Sequence, residues 1–186
     1  MKKKSTKASK RSADNYQLVN DPIAYFIEYK RDKLWKKNEN EWKSCFRLQL
    51  KTLKLYLDNN ASNRLLYSFV YRLGLGYWGI GKQGGIASGV ISQASLSGEG
   101  VKKTDDHVIG AQSIGKKIHE EFEACNFDED YMVNTWLYHN LWMWMTIRVT
   151  QNEHNSKNIS KAITNIDEKK RLRHYINVSP LIATVK

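Results

Sequence analysis

The chain has 186 residues, 41% of them apolar, with six Trp and ten Tyr, and its 30 Lys and Arg outweigh 19 Asp and Glu to give a formal charge of +11. That size and aromatic content set aside a disordered chain and fit one folded domain with a buried core, while the charge favours a polyanionic partner through counterion release. No apolar run reaches the roughly eighteen residues of a membrane helix, and the Met-Lys-Lys-Lys opening leads into Ser and Thr rather than an apolar signal core, so a cytoplasmic protein with no membrane partner is expected.

Residues 1–13 gather Lys2, Lys3, Lys4, Lys7, Lys10 and Arg11 without an apolar anchor and read as a disordered basic arm. If the arm grips phosphates, its deletion should flatten the salt dependence of binding. Residues 14–73 read as a helical DNA-binding region. Asp21-Pro22 supplies an N-cap and a first-turn proline, and Ile23, Phe26, Ile27 and Leu34 follow at helical spacing. A second helix is expected over 39–58, with Trp42, Cys45, Phe46, Leu48, Leu50, Leu53, Leu55 and Leu57 on a broad apolar face. Asn59-Asn60 ends it, and a third helix covers 62–73. The basic residues of this region, among them Lys30, Arg31, Lys33, Lys36, Lys37, Lys43, Arg47, Lys51 and Lys54, form either a DNA-facing surface or ordinary solvated faces.

Nine of the eleven glycines fall between Gly74 and Gly100, which suits a flexible connector over 74–100 or a loop laid along a phosphate chain. No Gly-Lys-Ser/Thr is present and the spacing lacks a βαβ setting, which sets aside nucleotide-binding fingerprints. Tyr77 and Trp78 either stack on bases or pin the loop to the core. A short strand is expected over 101–106, a helix over 112–124, and a further helix over 128–144 whose Val133, Trp136, Leu137, Leu141 and Trp144 stripe is core. His119 and His139 on these helices read as ordinary packed or solvated residues. A strand over 146–149 runs into Thr150, an N-cap with Glu153 three residues on, so a helix should start at Gln151 and pass Ile159. A short basic helix is expected over 167–175. Cys45 and Cys125 are isolated, with no Cys-x-x-Cys pair, so neither structural zinc nor a disulfide framework is expected.

Two stretches carry residue types that can build a hydrolytic site. Lys102-Lys103-Thr104-Asp105-Asp106-His107 closes the first of the two late strands, and Met145-Thr146-Ile147-Arg148-Val149-Thr150-Gln151-Asn152-Glu153-His154-Asn155-Ser156-Lys157 runs from the second into a helix. A carboxylate and an amide oxygen can hold a hard divalent cation while leaving positions for water and phosphate oxygens. An imidazole off the metal can then take a proton from water. Strand alternation sends Asp106 and His107 apart unless the strand ends there. On the helix, Asn152 and Asn155 share a face, with His154 turned from Asn155 by roughly a hundred degrees.

These residues resemble the HNH, or ββα-metal, endonucleases: an Asp-His closing one strand, an insertion, a second strand, and a helix bearing the last metal ligand. Val149 to Lys157 is similar to the strand-to-helix turn in the HNH domain of RNA-guided CRISPR nucleases, and Thr-Asp-Asp-His with Thr-Ile-x-Val-Thr resembles phage-encoded HNH-like proteins. The resemblance implies an α+β, mostly helical chain with a ββα-metal core over 101–186 carrying a helical insertion. It implies Asp106 as metal ligand, His107 as general base and Asn155 as second ligand, with His154 as the alternate where the helix presents His. It further implies Mg²⁺ or Mn²⁺ as cofactor, DNA as partner, and products with 5′-phosphate and 3′-hydroxyl ends. Lys82, Lys103, Arg148 and Lys157 are the candidate phosphate contacts. The chain departs from the family in lacking zinc-stapling Cys pairs, for which Trp136, Leu141, Trp142 and Trp144 would substitute. No middle Asn of the pattern is fixed; Asn134 and Asn140 are the candidates.

The expectation is therefore a metal-dependent DNA endonuclease of homing, restriction or phage nicking type, acting as a monomer or homodimer. A non-catalytic basic nucleic-acid-binding accessory protein is the alternative, and a binder of an acidic protein the third reading.

Overall fold

The computed structural model describes residues 15–76, 78–80, 85–98, 101–156 and 179–184. The chain is α+β and mostly helical, with a five-stranded mixed sheet in the order β1 (Tyr16–Leu18), β5 (Leu181–Thr184), β2 (Ile86–Ser92), β4 (Met145–Thr150), β3 (Lys103–His107). The basic arm, the helix expected over 167–175, Tyr77, Lys82 and Lys157 lie outside the described residues.

After β1 (Tyr16–Leu18), α1 (Pro22–Tyr29) begins where expected: the Asp21 carboxylate accepts from the N–H groups of Ile23 and Ala24 at 2.9 and 3.0 Å. The helix does not continue to Leu34. It breaks at Lys30 (φ −124°), and α2 (Arg31–Asp58) then runs 28 residues in one piece. Its buried stripe is Trp42, Phe46, Leu50 and Leu53, spaced four, four and three residues apart. The apolar face is narrower than the sequence suggests, because Leu48 and Leu55 point outward and are 61% and 59% exposed.

Ser62 caps α3 (Asn63–Leu75), which crosses α5 (Ala111–Ala124) at very close range. Gly74 makes this possible: a Cβ there would strike the Ala111 carbonyl, and a Cβ on Gly115 would strike the Val70 carbonyl. Two glycines facing each other's helix let the backbones touch.

The Gly-rich stretch is not only a connector. It contains β2 (Ile86–Ser92), the middle strand of the sheet, parallel to β4 (Met145–Thr150) and antiparallel to β5 (Leu181–Thr184). Between Ala87 and Ile91 the register with β4 shifts, and Gly89 sits there at φ +80° with Lys30 against it. The glycine expected to dissolve order therefore supplies a bulge within a strand. A short helix, α4 (Gln93–Ser97), follows β2.

β3 (Lys103–His107) is the terminal strand of the sheet and pairs antiparallel with β4. Between them lie α5 and a helical run of α6 (Glu129–Tyr131), a π turn (Met132–Trp136), α7 (Leu137–Asn140) and a 3₁₀ turn (Leu141–Trp144). The stripe read as core is core: Val133, Trp136, Leu137, Leu141 and Trp144 are all buried, and Trp144 meets Phe46, Trp78 and Trp136 edge to face. One hydrophobic cluster reaches from Val19 to Ala183, so the helical and sheet residues share a single interior.

Candidate active site

β4 passes directly into α8 (Gln151–Ser156) through the capping box read from the sequence. The Glu153 N–H donates to Thr150 Oγ1 at 3.1 Å, and the Thr150 N–H donates back to Glu153 Oε2 at 2.8 Å. Glu153 does more than cap: Ser92 Oγ donates to Oε2 at 2.6 Å, and the Ser179 N–H and Oγ donate to Oε1 at 3.0 and 2.7 Å. Burial alone would raise this carboxyl, but the donors from Ser92, Thr150 and Ser179 prevail and hold it at about 2, against an ordinary 4.5. One ionised carboxylate thus pins α8 to the end of β2 and to the segment entering β5.

So fixed, α8 turns His154 toward β3, where its Nδ1 lies 3.4 Å from Asp106 Oδ1. Asp106 is buried at 3% exposure, whereas His154 keeps 31% of its side chain in solvent. Asn155 goes elsewhere: it is exposed, and its Oδ1 accepts from Gln151 Nε2 at 2.9 Å. Of the two helix residues weighed as second ligand, the fold brings His154 to Asp106.

β3 does not end before His107, which still pairs with Thr146, while Asp106 pairs with Ile147. The two side chains accordingly leave opposite faces of the strand. His107 lines a 530 Å³ cavity between the sheet and α2, together with Asp105, Thr146, Trp42, Asn38 and Glu41. Among the described residues β3 is the last strand of the sheet.

Arg148, a candidate phosphate contact, is engaged with Asp105 through Nε–Oδ1 at 2.9 Å and Nη2–Oδ2 at 3.0 Å. Lys103 is exposed on the same face of β3. Asn140 spends its amide on the Trp136 carbonyl at 2.8 Å, and Asn134 borders a separate cleft with Asp32 and Tyr138. His119 Nε2 lies 3.3 Å from a Glu123 carboxylate oxygen, and His139 packs on Tyr138.

The sequence reading passed over Asn38 and Glu41. The signal was present: they interrupt the Leu34 and Trp42 stripe of α2 with polar groups one helical turn apart.

Asp106 and His154 suit a metal chemically, one hard oxygen and one imidazole nitrogen. Their separation is close to the roughly 3 Å between adjacent donors around a cation with bonds near 2.1 Å. Among the described residues no group of three His, Cys, Asp or Glu could hold an ion. No described helix is long and apolar enough to cross a membrane. Compared with protein-family models, curated proteins and solved structures, the chain matches none.

Proposed function

We propose that the chain is a metal-dependent DNA endonuclease in which β3, β4 and α8 form the catalytic unit. The observation that carries this reading is an antiparallel strand pair leading straight into a helix whose first turn sets His154 Nδ1 3.4 Å from the buried Asp106 carboxylate.

In this reading Asp106 and His154 hold the ion, and a bound Mn²⁺ or Mg²⁺ supplies the charge that neutralises the phosphate and the departing 3′ oxygen. One imidazole among the donors favours Mn²⁺ over Mg²⁺. For His107 to take the proton of the attacking water, the scissile strand must pass round the edge of β3 so that the water comes within hydrogen-bond reach of a ring nitrogen on the other face. Lys103 adds positive charge beside the scissile strand. Arg148 keeps Asp105 neutralised, so that no loose carboxylate repels the phosphate.

Metal titration of DNA cutting tests the ligand pair. Asp106→Ala and His154→Ala should each raise the Mn²⁺ concentration for half-maximal cutting at least about tenfold, whereas Asn155→Ala should change it less than twofold. Unchanged titrations for the first two would remove them as ligands.

The placement of Asp106 and His107 on opposite faces favours a second reading, a nucleic-acid-binding protein without catalysis. It predicts salt-sensitive DNA retardation and no cutting in any metal.

A further inference from the structure

The cavity beside His107 is lined by carboxylate, amide, hydroxyl and imidazole groups. Asn38 donates its amide to the Leu34 carbonyl at 2.8 Å, and Thr146 donates its hydroxyl to the Ile86 carbonyl at 3.3 Å. With those donors engaged, the Asn38 and Thr146 oxygens keep lone pairs for an occupant, and Asn38 keeps a second amide hydrogen. Glu41 and Asp105 add carboxylates, and of these Asp105 is already committed to Arg148. Leu34, Trp42 and Ile86 supply an apolar wall. Gly85 keeps the wall open, because a Cβ there would run into the Thr146 methyl and come within 3.2 Å of His107 Nε2.

A flat, donor-rich, largely apolar ring fits such a space. At 530 Å³ the cavity lies in the range of small-molecule sites. Among nucleobases guanine matches best: its N1–H and N2–H₂ lie side by side and meet one carboxylate with two bonds. Thymine offers a single N–H between two carbonyls that a carboxylate repels. Lys37, exposed and one turn before Glu41 on the same face of α2, is placed for the attached phosphate.

We propose that this cavity binds a guanine base presented by an unpaired nucleotide of the nucleic-acid substrate, with the Glu41 carboxylate accepting from N1–H and N2–H₂. The assignment rests on the endonuclease reading only in taking His107 to act on the phosphate next to that nucleotide.

Equilibrium dialysis in EDTA tests it on the full chain, with dGMP and dTMP as probes and the octamers dT8 and dT8 carrying one central dG as strand probes. The expected result is retention of dGMP, and of the dG-bearing octamer, about tenfold or more tightly than the thymine-only counterpart. Glu41→Gln should abolish the preference, and Ala87→Leu, which fills the cavity from an exposed strand position, should abolish binding of dGMP; both should melt at the wild-type temperature. Equal retention of dGMP and dTMP, or a preference that survives Glu41→Gln, would overturn the guanine site. Preference for dGMP but not for the dG-bearing strand would overturn its assignment to substrate. DNA cutting is assayed separately. A guanine preference without cutting in any metal leaves the cavity assignment and removes the nuclease, and cutting without the preference does the reverse.

Discussion

Glu153 holds the site together at the scale of one side chain. Its folded carboxyl lies at about 2 and its ordinary value at 4.5, so its bonds stabilise the fold in full above about pH 4.5 and fade as pH falls toward 2. Glu153→Gln should lower stability at pH 7 by about 3 kcal/mol and flatten the decline between pH 4.5 and 2. Urea melts across that range check this; parallel curves for variant and wild type would contradict it. The capping half of this role was legible in Thr150-x-x-Glu153. Its ties to Ser92 and Ser179 were not, since they join residues 61 and 26 positions away. The same limit applied to the candidate ligand pair. The helical wheel separates His154 from Asn155, and the fold sets His154 beside Asp106 while Asn155 accepts from Gln151.

Among the elements, the crossing of α3 and α5 depends on two hydrogens where side chains would otherwise be. Gly115→Ala places a methyl on the Val70 carbonyl, so it should destabilise by about 2 kcal/mol or more despite the better helix propensity of Ala. Thermal melts measure this, and a neutral or stabilising Gly115→Ala would show that the helices do not meet so closely. Helix caps and stripes carried most of the legible fold: Asp21-Pro22, Ser62 and Asp128 all begin helices where read. β2 was hidden because its alternation of buried Ile86, Ser88 and Val90 is written in a stretch whose glycines point to loop. β1 and β5, three and four residues long, lack the length for a period-two signal. The break at Lys30 has no proline or glycine to announce it.

Across the whole molecule, the +11 charge is an excess that remains after every carboxylate has been counted against a cation. Arg31, Lys43, Arg47 and Lys54 are in ion pairs with Asp32, Glu39, Asp130 and Asp58, which cancel charge for charge and leave the excess on other residues. Lys33 and Lys37, exposed one turn apart on α2, have no ion pair among the described residues. Their joint replacement by Ala should lower the dependence of log K on log salt by about two, with little change in the cutting rate of bound DNA. An unchanged slope would move the DNA path away from α2. The central claim, that β3, β4 and α8 cut DNA, is tested most directly on supercoiled plasmid incubated with wild type and His107→Ala in Mn²⁺, Mg²⁺ or EDTA. The account predicts metal-dependent nicking by the wild type, slowed about 10²–10⁴-fold in the variant with DNA retardation intact. Equal nicking by the two proteins, or none by the wild type in either metal, would contradict it.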